Sequence, residues 1–202
     1  MYAKNSKQSG VTLIELVVFM VIVSVALVGV LKVLDITNRG SADPLVRKQA
    51  LSIAESLLLE IEQQPFTWCD PDDANASTAT SAATCASTAQ DPAPTTAGAI
   101  TGPFPNTENR YSSTNPLDNV SDYGGFTMPG GGCTGICSPG DSTPLTGLNA
   151  YSAVVTITRA GATAPYVSFA LDAVLKISVR VTGPVNTDVT LTGYRVRYAP
   201  NI

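Results

Sequence analysis

The chain has 202 residues, 44% of them apolar and 14% charged, with a formal net charge of −4 and no histidine. An acidic balance without a basic stripe argues against nucleic-acid binding, and the lack of histidine removes the commonest general base and metal ligand. The length suits one domain plus an anchor, and 14 prolines and 16 glycines imply many loops.

The first ten residues carry Lys4 and Lys7 and no acid, which holds them on the cytoplasmic side by the positive-inside rule. From Val11 to Leu31 the residues are Val, Leu, Ile, Phe, Met and Ala, interrupted only by Thr12, Glu15, Ser24 and Gly29. Twenty-one residues at ~1.5 Å rise cover about the ~30 Å hydrocarbon core of a bilayer. Glu15 is the anomaly, because an unpaired carboxylate there costs roughly 2.5–3.5 kcal/mol. A cut between Gly10 and Val11 would create a partner, the α-ammonium of Val11, one helical turn from Glu15 in the same chain or a neighbour. An ordinary secretory signal fits less well, since the apolar run is too long, holds an acid and has no A-x-A-like cleavage site. A plain single-pass anchor leaves the spacing from Gly10 to Glu15 without a reason.

The segment Gly10-Val11-Thr12-Leu13-Ile14-Glu15, behind its basic leader, resembles the processing motif of type IV pilins and of the pseudopilins of type II secretion. The resemblance implies that a prepilin peptidase cuts after Gly10 and methylates the new terminus at Val11, where the family most often has phenylalanine. It also implies that Glu15, with Thr12 beside it, guides assembly into a filament. The partners it implies are other pilin subunits, the peptidase, the inner-membrane assembly machinery and, before assembly, membrane lipid. Cleavage would give a leader of residues 1–10 and a membrane and assembly segment of 11–34. Loss of Lys4 and Lys7 would take the formal charge from −4 to −6.

The polar run Asp35–Pro44 is expected to bend or fray the helix, with Asp43 as N-cap and Pro44 at the first helical position of a restart over 43–64, the segments together making one long N-terminal helix, half in the membrane and half packed on a globular head. Val46, Ala50, Ile53, Leu57 and Ile61 recur at helical spacing, widened by Ala54 and Leu58, so one face should lie on a core. Arg47, Lys48, Glu55, Glu60 and Glu62 lie largely off that stripe, and Pro65 ends it.

Residues 66–150 are dominated by Ser, Thr, Ala, Gly, Pro, Asn and Asp, with few strand signals. Four cysteines in an exported chain suit disulfides. Of three connectivities, Cys69 with Cys85 and Cys133 with Cys137 joins nearest neighbours, the first closing a loop worth about 3 kcal/mol; metal binding is the rival. Asp70, Asp72, Asp73 and Asn75 place four oxygen ligands within six residues, a calcium-type set lacking the glycine and distal glutamate of an EF-hand loop. Acid-rich turns of this kind are common without an ion, so no cofactor is expected, with calcium at these four residues as the alternative. Asn75-Ala76-Ser77 and Asn119-Val120-Ser121 are glycosylation sequons by pattern.

Residues 151–202 read as strands. Tyr151, Ala153, Val155 and Ile157 alternate with more polar residues, as do Leu175, Ile177, Val179 and Val181. Val189 and Leu191 open a third strand, but Tyr194, Val196 and Tyr198 continue it out of phase, so Gly193 is expected at a bulge. Arg195 and Arg197 alternate on what reads as a solvated face. An antiparallel sheet on the amphipathic helix is an α+β, pilin-like architecture. The ending Gly193–Asn201, with Glu60–Asp70, is also similar to the minor pilin D group of mannose-sensitive haemagglutinin pili. No nucleophile, phosphate-loop or dinucleotide motif is present, so a structural subunit is expected and not an enzyme. The inner membrane, with an exported head and then a filament or cell surface, is the expected location; a pseudopilin or a pilus-borne adhesin is the alternative.

Overall fold

The computed structural model describes residues 10, 12–91 and 93–197, the side chains of 36–43 excepted. The leader before Gly10, Val11, the Asp43 side chain and the end from Tyr198 onward lie outside the described residues. The chain divides into two units after Pro44.

Helix α1 covers Leu13–Gln63 with Pro44 inside it. The expected long N-terminal helix is therefore found, but it runs on through Pro44 without the expected restart. An interior proline removes one backbone hydrogen bond and crowds the preceding turn, a cost of roughly 3 kcal/mol, but propagation from helical residues on both sides carries the assignment through.

In the first unit, Leu13–Asp35 is a 23-residue apolar stretch with none of its surface buried. Leu13 is 82% exposed and Val25 70%. At ~1.5 Å per residue it is long enough to cross a bilayer. Its internal hydroxyl is satisfied locally, since Ser24 Oγ donates to the Met20 carbonyl at 2.7 Å.

The second unit is a sheet covered by the last turns of α1. Five strands, β1 (Ala99–Ile100), β2 (Thr127–Met128), β3 (Ser152–Arg159), β4 (Val174–Gly183) and β5 (Thr187–Val196), pair antiparallel. Both β1 and β2 lie on one edge of β3, and β4 and β5 follow on the other. Ala153, Val155, Ile157, Leu175, Ile177, Val179 and Val181 are fully buried, and they join Ala50, Ile53, Ala54, Leu57 and Ile61 of α1 in one core. The period of two on the strands and the 3.6-residue stripe on the helix thus meet. Val154, on the opposite face of β3, is 44% exposed.

β4 and β5 pair in unbroken register from Val174 with Val196 to Gly183 with Thr187, so there is no bulge at Gly193. Gly193 keeps the phase of Val189 and Leu191, and Tyr194 and Val196 belong to the other face, where Tyr194 stacks on Tyr166 at 5.2 Å. The glycine answers to the helix instead: a Cβ at Gly193 would collide with the Glu62 carboxylate and come within 3.2 Å of Leu58 Cδ1. Continuing in phase turns Arg195 and Arg197 inward, not to solvent. Arg195 Nη2 donates to the Gln64 carbonyl at 3.2 Å. Arg197 lies with its guanidinium carbon 3.7 Å from the Trp68 ring centre and 4.2 Å from that of Phe66. It also donates to Asp172 at 3.1 Å, and its burial lowers its pKa despite that partner.

The 66–150 region has little regular structure but many ties. Cys69 is bonded to Cys85 and Cys133 to Cys137. Arg110, its side chain 5% exposed, donates through Nε and Nη2 to both oxygens of Glu60 at 2.7 Å and through Nη1 to the Cys137 carbonyl at 2.8 Å. Tyr123 adds its hydroxyl to Glu60 Oε1 at 2.8 Å. Glu60 is thus a half-buried anchor on α1, a role its place off the apolar stripe did not suggest. Arg159 grips Asp91 with two donors in the same bidentate way.

Glu60→Gln leaves the Arg110 guanidinium buried beside a neutral partner and is expected to lower the unfolding free energy by about 3 kcal/mol. Urea titration of the full chain in detergent, read by Trp68 fluorescence, measures it. In the β4–β5 turn Val185 and Asn186 both have φ of 56°, a conformation costing a non-glycine residue roughly 1–2 kcal/mol and tolerated best by Gly and Asn. In the same titration Val185→Asn is expected to raise stability by about 1 kcal/mol, and an unchanged midpoint would refute the strain.

Candidate functional site

Thr12 precedes the first helical residue and acts as the cap of α1. Its Oγ1 accepts from the Glu15 N–H at 3.4 Å, and its carbonyl accepts from the Leu16 N–H at 3.2 Å. Glu15 therefore occupies the third helical position, where a carboxylate also meets the positive end of the helix dipole. Gly10 is exposed, two residues before that cap. Glu15 stands five residues past Gly10, in the first turn of a helix whose apolar surface has no cover among the described residues.

A second concentration of functional chemistry lies in the head. The expected calcium-type set, Asp70, Asp72, Asp73 and Asn75, does not converge. Asp73 is consumed by the loop itself: its oxygens accept from the N–H groups of Asn75 at 2.8 Å, Ala86 at 3.0 Å, Ser87 at 2.7 Å and Thr88 at 3.2 Å, and from Ser87 Oγ at 2.8 Å. These donors, the Asn75 N–H foremost, hold its carboxyl well below the usual range. Asn75 turns away and donates Nδ2 to the Thr84 carbonyl at 2.8 Å.

Asp70 and Asp72 instead meet Asp118, one oxygen of each lying within 4.8 Å of the others, and Asp118 belongs with Glu108 and Asp122 to a second such group. Asp70, Glu108 and Asp122 are buried and Asp72 is exposed. Asp122 is engaged by backbone, accepting from the Phe104 N–H at 3.0 Å and the Asn119 N–H at 2.7 Å. Among the described residues no ion pair reaches any of the five acids. Burial, then the neighbouring carboxylates, pushes Glu108 and Asp122 well above the usual range and Asp118 up to about 6.

Glu108, Asp118 and Asp122 were not singled out in the sequence, because they stand far along a loop region from Asp70. The one local signal was Asn119-Val120-Ser121-Asp122, in which Asn119 and Asp122 cap the turn Val120–Tyr123 reciprocally. That role buries Asn119 completely, so its sequon is closed to glycosylation in the folded head.

Residues 5–31 match the family described as prokaryotic N-terminal methylation motif. No curated protein and no solved structure matches the chain. The matched segment contains Gly10, Thr12 and Glu15 and most of the exposed apolar helix, so the chain carries a prepilin-type N-terminal signal of the type IV pilin-like kind on a helix long and apolar enough to cross the inner membrane once.

Proposed function

We propose that the chain is a minor structural subunit of a type IV pilus, without catalytic activity, held in the inner membrane until its N-terminal helix is drawn into a filament. The observation that carries this reading is the uncovered 23-residue apolar helix that begins just behind Gly10 with Glu15 in its first turn. In lipid the helix is soluble but Glu15 is penalised. In a bundle of like helices the apolar surface stays covered, and the carboxylate can face the ammonium of a neighbour. A loop-rich head stapled by two disulfides favours a minor subunit over a lean repeating one. The two stretches similar to the minor pilin D group also touch each other, through Arg197 on Phe66 and Trp68 and Arg195 on Gln64. A pseudopilin shares the same anchor; gold labelling of sheared filaments separates the two, since only a pilus subunit reaches the cell exterior.

Mass spectrometry of the mature protein is expected to show a chain starting at Val11 with one added methyl group, and a retained Met1 would overturn the reading. Glu15→Leu is expected to insert in the membrane and be cut after Gly10 as usual, yet to fall at least about tenfold in the ratio of filament to membrane protein, since ~1.4 kcal/mol of lost pairing already gives that factor. Glu15→Asp should lie between. Incorporation of Glu15→Leu at the wild-type level would refute the pairing.

A further inference from the structure

We propose that the acidic cavity of the head is a calcium site, with Asp70, Asp72, Asp118 and Glu108 as its protein ligands. The cavity, of about 140 Å³, is lined by Asp70, Asp72 and Glu108 together with Thr88 and Asn115. Asp118 belongs to both acid groups beside it, with an oxygen within 4.8 Å of oxygens from Asp70 and Asp72 in one and of Glu108 and Asp122 in the other. Two oxygens that share one calcium at ~2.4 Å are no more than ~4.8 Å apart, so the spacing of Asp70, Asp72 and Asp118 suits a common ion, and Glu108 meets Asp118 at the same spacing from the other group. Since a water occupies roughly 30 Å³ of liquid, the space accommodates the ion and several waters to complete its shell.

The observation that points to a ligand is Glu108. It is 8% exposed, and its Oε2 has no hydrogen-bond partner. Asp118 Oδ1 is likewise buried and unpartnered. A carboxylate oxygen withdrawn from water needs a donor or a cation. The arginines nearby are committed elsewhere: Arg110 to Glu60, Arg159 to Asp91 and Arg197 to Asp172. A hard divalent cation supplies the missing charge to all four acids at once. The all-oxygen set, from irregular loops and without histidine or free cysteine, favours calcium over a transition metal. Asp122, with both oxygens held by backbone N–H groups, backs Glu108 and is not counted as a ligand. The walls are fixed independently of the ion. Asp73 pins Ser87 and Thr88, the Cys69–Cys85 bond ties the strand before Asp70 to the same loop, and the Asp70 N–H donates to the Thr88 carbonyl at 3.1 Å. Exposed Asp72 marks the entry.

The test uses the full chain in detergent, stripped with a chelator and titrated with calcium chloride alone by calorimetry, with circular dichroism to confirm folding. Saturable binding and a melting temperature that rises with calcium are expected. Glu108→Gln and Asp118→Asn, which keep shape and relieve repulsion, should melt no lower than the stripped wild type and bind calcium at least about tenfold more weakly. Asp188→Asn, in an exposed pair with Arg180, should bind as wild type. No saturable binding by the folded wild type up to about 10 mM, above the ~1 mM constants of weak extracellular calcium modules, would overturn the proposal. So would binding that both ligand variants retain. Neither result bears on cleavage at Gly10, so this proposal and the pilin reading fail separately.

Discussion

The head depends on one seam, where the stripe Ala50, Ile53, Ala54, Leu57 and Ile61 meets the inward face of β3 and β4. Small residues in the helix and a glycine in the sheet set the distance. Ala50 and Ala54 are fully buried, and Gly193 leaves room for Glu62 and Leu58 where any side chain would intrude. Close approach lets the branched side chains of β3 and β4 pack to interior density against the helix, and density is what makes such a core specific. From that seam the remaining contacts follow outward: Glu60 reaches Arg110 and Tyr123, and the turn after Gln63 brings Phe66 and Trp68 around Arg197.

Elements whose residues repeat with a period were legible in the sequence. The apolar helix, the amphipathic stripe and the alternation on β3 and β4 each record one buried face, and a buried face is a local pattern. Misreadings arose where a residue answers to a distant partner. Pro44 reads as a helix start because proline favours that position, yet the helix passes through it. Gly193 reads as a bulge because the apolar pattern slips there, but the slip reflects what lies on each face: the helix lies against Gly193, and Tyr194 stays partly exposed beside the Tyr166 ring. Arg195 and Arg197 read as solvated because arginine usually is, but Arg197 is received by Asp172 and by Phe66 and Trp68 far back in the chain, and Arg195 by the Gln64 carbonyl.

The same distinction divides the two functional regions. Gly10 to Glu15 is a contiguous code, read by a peptidase and by neighbouring helices, so its meaning lies in the order of residues. The acidic cavity has no such code. Asp70 and Asp72 come from one loop, Glu108 from another and Asp118 from the approach to a capped turn, and only the folded head brings them together. Asp73, the acid that adjacency made the most obvious ligand, serves instead as the post around which the loop is wound.

A loop region of this length must be ordered by something other than a sheet, since loop backbone loses conformational freedom without ladder bonds to offset it. Here the devices are charge and covalency: two disulfides, two bidentate arginine pairs and one carboxylate accepting four backbone N–H groups. Each ties a loop to a regular element or to another loop, so that residues 66–150 become a second layer over the seam. Against that pattern of paired charges, a set of buried acids with no counter-charge stands out. Elsewhere among the described residues of the head a buried carboxylate has its donors, which is why the orphaned oxygens of Glu108 and Asp118 are better explained by a bound cation than by a fold indifferent to charge.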